Sequence, residues 1–194
     1  TELDPDFSSA YLALTNIAYS TGQKAKAHDF VLKATARLDR LSARERLVAE
    51  GYAAWFVNPE AMREKWSLYA RLYPDAMTGQ NNVALTEYWY ENALADAADQ
   101  FSIVAASRHP RRGYAWLLLG NVQLALNQIN AARKSYATAR QVGSPQLNLD
   151  PVGLDIATRD FPAGEQHLAK EPTRNFPYFE TEKNLRRSAL DVSQ

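Results

Sequence analysis

The sequence predicts an all-α protein made of helical hairpins that stack side by side. Between 116 and 139, apolar residues recur at helical spacing on both sides of a polar break at Asn127-Gln128, which is the pattern of two helices folded back on each other. The same pattern returns three times upstream. Because a single hairpin leaves one apolar side uncovered, copies in phase predict a stack that buries a continuous core.

The hairpin at 116–139 is the best preserved of the four units. Its core positions carry small, apolar or aromatic side chains, namely Trp116, Leu119, Gly120, Ala132, Tyr136 and Ala139. Gly120 is the expected point of closest approach, because a side chain there would push the two helices apart. Ala132 is its expected small partner on the second helix.

Two further units keep these offsets. When Thr86 takes the place of Gly120, the same spacings between core positions give the third unit, with Asn82, Leu85, Thr86, Ala98, Ser102 and Ala105. Counting them from Thr15 gives the first unit, with Tyr11, Leu14, Thr15, Ala27, Val31 and Ala34. A threonine therefore stands in both units where the fourth unit has its glycine.

The second unit, between about Leu41 and Pro74, fits least well. Strict counting puts Glu50 at the close-approach position, where a carboxylate is unsuitable. A slip of one residue puts Gly51 there and shortens the turn through Asn58-Pro59, whose proline suits the first turn of a helix. We prefer this register, since it turns three large side chains of the second helix inward: Met62, Trp66 and Tyr69.

Local signals predict where the first elements begin and end. A first helix of about 7–21 ends at Gly22, and a second helix of about 24–40 follows. Ser42 with Glu45 three residues later forms a capping box for the third helix.

After Pro145 the repeat pattern fades. Pro151 and Pro162 each open a short helix, as in a degenerate repeat, and 178–192 has the pattern of a last helix. A more polar end of this kind keeps a stack of repeats soluble.

The four units resemble the tetratricopeptide repeat (TPR), whose signature is an aromatic, Leu-Gly, an aromatic, Ala, an aromatic and a closing Pro over about 34 residues. The resemblance implies a right-handed α-solenoid of helix-turn-helix repeats. It divides 1–145 into four repeats, at about 7–40, 41–74, 75–110 and 111–145. A degenerate repeat and a C-terminal capping helix then occupy 146–194.

In this family the first helix of each repeat lines a concave groove that binds proteins or peptides. Counting around those helices places in the groove Ser9, Leu12, Asn16, Tyr19, Gln80, Val83, Glu87, Tyr90, Leu117, Asn121 and Leu124. Asn16 and Asn121 occupy equivalent places, where an amide can donate to and accept from a peptide backbone. Family members that clamp acidic chaperone tails need a lysine where this chain has Leu12. A ligand of mixed apolar and polar character, with a cation facing Glu87, suits the predicted groove better.

Tyr88-Trp89-Tyr90 places three aromatic residues in succession on one helix. Their directions differ by about 100° each, so they cannot all face the core. The repeat offset assigns Trp89 to the core and Tyr90 to the groove side, where an aromatic ring offers a large contact area. The alternative is that Tyr90 packs against a neighbouring repeat.

Other kinds of function find little support in the sequence. The net charge is zero, whereas a protein that binds nucleic acid normally carries a basic stripe. His28, His109 and His167 lie far apart in the sequence and do not have the spacing of metal ligands. The sequence contains no cysteine, no glycine-rich phosphate loop and no nucleophile-elbow motif. No apolar run reaches about 18 residues. We therefore expect no catalytic residue, no metal, no cofactor, no nucleic acid and no membrane insertion.

The stretch 41–52, together with Tyr73-Pro-Asp and Asn81-Asn-Val-Ala-Leu, is similar to repeats appended to bacterial signalling proteins such as kinases, cyclases and winged-helix regulators. This resemblance implies a fragment of a larger signalling or regulatory protein that acts as an interaction scaffold; the compartment stays open, with the cytoplasm favoured. Two alternatives remain. A self-association module would bury 88–90 or the C-terminal helix against another copy, and an enzyme would need a deep pocket with converging titratable groups.

Overall fold

A computed structural model describes residues 4–109, 112–143, 150–169, 187–189 and 191. Every regular element in these ranges is helical, which confirms the all-α prediction for the described part of the chain. The helices are α1 (Ser8–Ser20), α2 (Lys24–Thr35), α3 (Ala43–Ala54), α4 (Pro59–Leu72), α5 (Thr78–Thr86), α6 (Leu94–Ala106), α7 (Arg112–Ala125), α8 (Ile129–Gln141), α9 (Asp150–Ala157) and α10 (Phe161–Ala169). A short 3-10 helix (Leu38–Arg40) follows α2, and a π-helical turn (Glu87–Glu91) follows α5.

The chain divides into two compact units, Thr1–Thr86 and Glu87–Gln194, and the boundary falls inside the predicted third repeat. In the first unit, helices α1 to α5 pack in chain order, each against the next, and α1 also contacts α3. The core of this unit surrounds Trp66 and Tyr69 of α4, both fully buried.

In the second unit, helices α6 to α10 again pack in chain order, and α7 also contacts α9. Leu117 of α7, Tyr136 of α8 and Leu154 of α9 belong to one apolar cluster. Val152 and Leu168 form a smaller cluster between α9 and α10, as expected for a short terminal hairpin.

Two hairpins are held together by a glycine that faces an aromatic ring. A Cβ atom built on Gly51 would lie 2.6 Å from Cζ2 of Trp66, and one built on Gly120 would lie 2.5 Å from Cδ1 of Tyr136. Real Cβ atoms do not approach other atoms so closely, so both positions require glycine. The predicted close approach at Gly120 is confirmed, with Tyr136 as its partner rather than Ala132, and the Gly51 register of the second unit is confirmed as well.

Threonine replaces glycine at the equivalent places of the first and third units. Thr15 and Thr86 are fully buried, and each hydroxyl donates to the carbonyl oxygen four residues earlier, at 2.8 Å. Each hydroxyl is therefore hydrogen-bonded within its own helix, so burial of the threonine leaves no polar group without a partner.

The turns inside the hairpins follow a period. The second helices of the first four units begin at a constant spacing along the chain, at Lys24, Pro59, Leu94 and Ile129. In four hairpins a left-handed residue lies two positions before the second helix: Gly22, Asn92, Asn127 and Arg159. The second unit instead starts α4 with Asn58 as a side-chain cap and Pro59 in the first turn, as predicted.

The predicted register of the third unit is wrong by one residue beyond Thr86. The turn residues Asn92 and Asn127 are one position farther apart in the sequence than the close-approach residues Thr86 and Gly120. The change occurs at the π-helical turn, where the amide of Ala93 donates to the carbonyl of Glu87, at 2.9 Å. A repeat offset taken from sequence cannot detect a local change of helical pitch.

This shift changes which side chains of the third unit are buried. The buried residues of α6 are Ala97, Phe101, Val104 and Ala105. Ser102, which the sequence assigned to the core, is exposed, and Ala98 is only partly buried. Trp89 is 48% exposed, so its predicted core position is also wrong.

Helical boundaries near the ends differ from the prediction in smaller ways. The second helix ends at Thr35 and not near 40, because the 3-10 helix at Leu38–Arg40 replaces its last turn. The predicted last helix at 178–192 lies outside the described residues except for 187–189 and 191, which are helical.

The contact between Gly120 and Tyr136 can be tested by whether Gly120→Ala raises or lowers the free energy of unfolding. In an open helical position, Gly→Ala stabilises by about 1 kcal/mol through helix propensity. Because a Cβ at Gly120 overlaps the Tyr136 ring, we expect Gly120→Ala to lower the free energy of unfolding by roughly 1–3 kcal/mol. Urea denaturation measures the difference.

The matched control removes the ring. In a Tyr136→Leu background the same Gly120→Ala change should become neutral or stabilising, since the atoms it overlaps are gone. A single Gly120→Ala variant that melts above the parent chain would contradict the close-approach assignment.

Candidate functional site

Three contacts along one face of the first unit join α1 to α3 and to Trp55, the C-cap residue of α3, at a constant spacing in the sequence. Each contact joins two residues that are 36 positions apart: Ser9 with Glu45, Asn16 with Tyr52, and Tyr19 with Trp55. Equivalent residues of two successive first helices therefore touch side by side. We call this set of six residues the ladder face.

The aromatic end of the ladder face consists of Tyr19 and Trp55, which we call the aromatic shelf. Their ring centroids lie 4.0 Å apart, with 34° between the ring planes. Both side chains are partly exposed. Beneath them Tyr52 is buried, and its ring lies 4.5 Å from that of Trp55 and 5.4 Å from that of the fully buried Trp66. The shelf is thus fixed from below by the core.

Two asparagines on first helices use opposite ends of their amides. Asn16 donates its Nδ2 to the hydroxyl oxygen of Tyr52, at 3.0 Å. Asn121 accepts at its Oδ1 from the hydroxyl of Tyr136, at 2.9 Å. Asn16 therefore keeps an acceptor oxygen, and Asn121 keeps donor hydrogens.

The polar end of the ladder face is built around Glu45. Its carboxylate accepts hydrogen bonds from the hydroxyl and the amide of Ser42, at 2.7 and 2.9 Å, which completes the predicted capping box. The other carboxylate oxygen accepts from the Ser9 hydroxyl at 2.7 Å. The Ser42 hydroxyl, followed by that of Ser9 and the Ser42 amide, lowers the pKa of Glu45 from its ordinary value.

The predicted groove residues divide into two groups. Leu12 and Val83 lie in the core of the first unit, Leu117 lies in the core of the second, and Glu87 is also buried. The side chains of these four residues are thus almost fully covered within the fold, unlike a predicted groove surface. At least partly exposed are the other seven predicted positions: Ser9, Asn16, Tyr19, Gln80, Tyr90, Asn121 and Leu124.

Sequence reasoning missed the contribution of the second unit to this face. Glu45, Tyr52 and Trp55 follow Ser9, Asn16 and Tyr19 at one constant offset. The same offset separates Thr15 from Gly51, so the Gly51 register already contained this information.

The histidines do not come together. His167 Nδ1 lies 2.6 Å from Oδ2 of Asp155, which links α10 to α9 in the second unit. In the first unit the ring of His28 lies 4.6 Å from that of Phe56, tilted by 51°. Among the described residues, no group of three His, Asp or Glu side chains is arranged to hold a metal ion. None of the helices described has both the length and the apolar character needed to cross a bilayer.

No protein-family model matches the chain, and comparison with curated proteins finds no match.

The hydrogen bonds to Glu45 predict an acid-sensitive part of the stability. Because the pKa is lowered in the folded chain, the ionised carboxylate stabilises the fold above the ordinary glutamate value of about 4.3. This contribution is lost as the pH falls through the lowered pKa. Glu45→Gln should therefore reduce the free energy of unfolding at pH 7, and its difference from the parent chain should shrink below about pH 4.3.

Glu60→Gln is the matched control, since Glu60 also lies in the first turn of a helix. Urea unfolding at several pH values measures both variants. A gap between parent and Glu45→Gln that stays constant down to pH 3, or that is reproduced by Glu60→Gln, would refute the role of the serine hydrogen bonds.

Proposed function

We propose that this chain is a protein-interaction module that binds a segment of a partner protein along the ladder face. The observation that carries the proposal is the ladder itself. Contacts at one constant offset put equivalent residues of successive first helices on one surface. A surface that is repeated in this way suits an extended partner, which meets equivalent groups as it crosses successive helices.

The proposal includes that the hairpins are TPR-type repeats. Three regularities support it: a small residue faces the second helix at equivalent positions, the second helices start at a constant spacing, and left-handed turns recur two residues before them. This spacing lies close to the length of that repeat, which is about 34 residues. The degenerate fifth repeat is supported by the left-handed Arg159 between α9 and α10.

The aromatic shelf is the part of the face best suited to supply binding energy. Tyr and Trp are enriched among residues that dominate interfaces, because a rigid ring buries a large area at a small entropy cost. Trp55 already rests on Tyr52 and faces Trp66 at 6.5 Å, so little side-chain freedom would be lost on binding.

A non-enzymatic role belongs to the same proposal. That the chain is part of a larger bacterial signalling protein stays an expectation from the sequence resemblance.

The proposal is tested by selecting ligands without prior choice. The full chain is immobilised and used to select from a displayed library of random peptides, and an enriched peptide is then synthesised. We expect calorimetry to show that Tyr19→Ala weakens its binding roughly tenfold or more, which corresponds to about 1.4 kcal/mol. Leu32→Ala, on the exposed side of α2, is the control and should bind as the parent chain does.

If no peptide is enriched, or if every enriched peptide binds Tyr19→Ala as tightly as the parent chain, the ladder face is not a binding site. Thermal melts of each variant establish that it is folded before its affinity is compared.

Self-association is the second candidate, and a different surface favours it. In the second unit Trp89 and Tyr90, neighbours on the π-helical turn, are 48% and 42% exposed. Exposed large apolar side chains that lie together mark interaction surfaces.

Sedimentation velocity over a range of concentrations tests this candidate. If it is right, the parent chain should shift to a faster-sedimenting species as its concentration rises, and Trp89→Ser should stay monomeric. Leu32→Ser, another exposed apolar residue, is the control and should behave as the parent does. A parent chain that is monomeric at the highest concentration rules the candidate out.

A further inference from the structure

The helices that carry the aromatic shelf place no unpaired charge of their own beside it. Helix α1 contains no Asp, Glu, Lys or Arg between Ser8 and Ser20. Of the four charged residues of α3, three lie in its first turn, at the opposite end of the helix from Trp55, and the fourth, Glu50, forms an ion pair with Lys65.

This distribution has a consequence for the partner. A charged side chain placed on the shelf would lose hydration, and the parts of α1 and α3 beside the shelf offer no unpaired opposite charge in return. An uncharged side chain loses nothing of this kind. Electrostatic complementarity here means a neutral partner facing a neutral surface.

Asn16, a polar residue one turn from Tyr19 on α1, adds a directional requirement. Asn16 uses its Nδ2 to donate to Tyr52, and this is the side-chain hydrogen bond it makes in the described part of the chain. Its Oδ1 can therefore accept, and the donor that an uncharged extended peptide offers is its backbone N–H.

The apolar surface of the shelf is that of its two rings. Both rings are partly exposed, so an aliphatic side chain of the ligand that covers them removes apolar area of both from water. The burial of apolar area favours binding.

We infer that the aromatic shelf binds an uncharged, extended peptide segment, with an aliphatic or proline side chain on the rings of Tyr19 and Trp55 and a backbone N–H donated to Oδ1 of Asn16. This inference rests on the proposed function and names the chemistry of its ligand. A clamp for acidic tails would need the opposite property, a cation on the face.

The peptide selected from the random library provides the test. We expect its shelf-binding segment to lack Asp, Glu, Lys and Arg, and its Kd to change less than about twofold between low and high salt, because no charge pair is formed. Methylating its backbone nitrogens one at a time should reveal one position at which affinity falls roughly tenfold, the N–H that Asn16 accepts. In Asn16→Leu that position should lose its special effect.

A measurement on the unaltered chain avoids any doubt about folding. The four tryptophans give four indole N–H signals in a ¹⁵N spectrum, assigned by single Trp→Phe variants. Adding the peptide should shift the signal of Trp55 and leave that of Trp89 in place.

The outcomes separate the two levels of the claim. Selected peptides that lose affinity in Tyr19→Ala, but are charged and salt-sensitive, would overturn the ligand class and leave the binding face intact. Failure to select any peptide that depends on Tyr19 would overturn both. A Trp55 signal that moves with protein concentration alone would identify a second copy of this chain as the occupant, and the inference would fall.

Discussion

The close approach of two helices at a small residue is the constraint on which the hairpins depend, and in two hairpins it is a glycine that faces an aromatic ring. At Gly51 and Gly120 the missing side chain lets a ring of Trp66 or Tyr136 lie against the helix backbone. This fixes the distance between the two helices and turns the rest of the first helix outward. Where Thr15 takes the place of glycine, its hydroxyl is satisfied internally and the position stays dry. Because this side of each first helix packs on the second helix of its own hairpin, another side is left to form the ladder face.

The hairpins themselves could be predicted from sequence, because helical periodicity and a small residue at a fixed offset are local signals. Gly51 could be found even in the least regular unit, since the alternative put a carboxylate into the core. The third unit could not be predicted in full. Its π-helical turn changes the register by one residue between Thr86 and Asn92, and an offset carried over from the other repeats does not register such a change. Trp89 was misplaced for that reason.

The candidate site was predictable to a smaller extent. Counting around a first helix identified Asn16 and Tyr19, but it also included Leu12, which is buried in the core. The count gives the direction of a side chain and not the presence of a neighbour that covers it. The partners of Asn16 and Tyr19 depend on how α1 packs against α3. These two positions form part of a continuous surface because Tyr52 and Trp55 lie beside them.

Glu45 connects two parts of the first unit that would otherwise be independent. The same carboxylate starts α3 by capping and holds Ser9 of the preceding hairpin. If the first hairpin separates, the cap loses one of its supports, and if α3 frays, the first hairpin loses its attachment. Helix initiation and the docking of neighbouring hairpins therefore favour one another, and the first unit should unfold as a single cooperative block and not repeat by repeat.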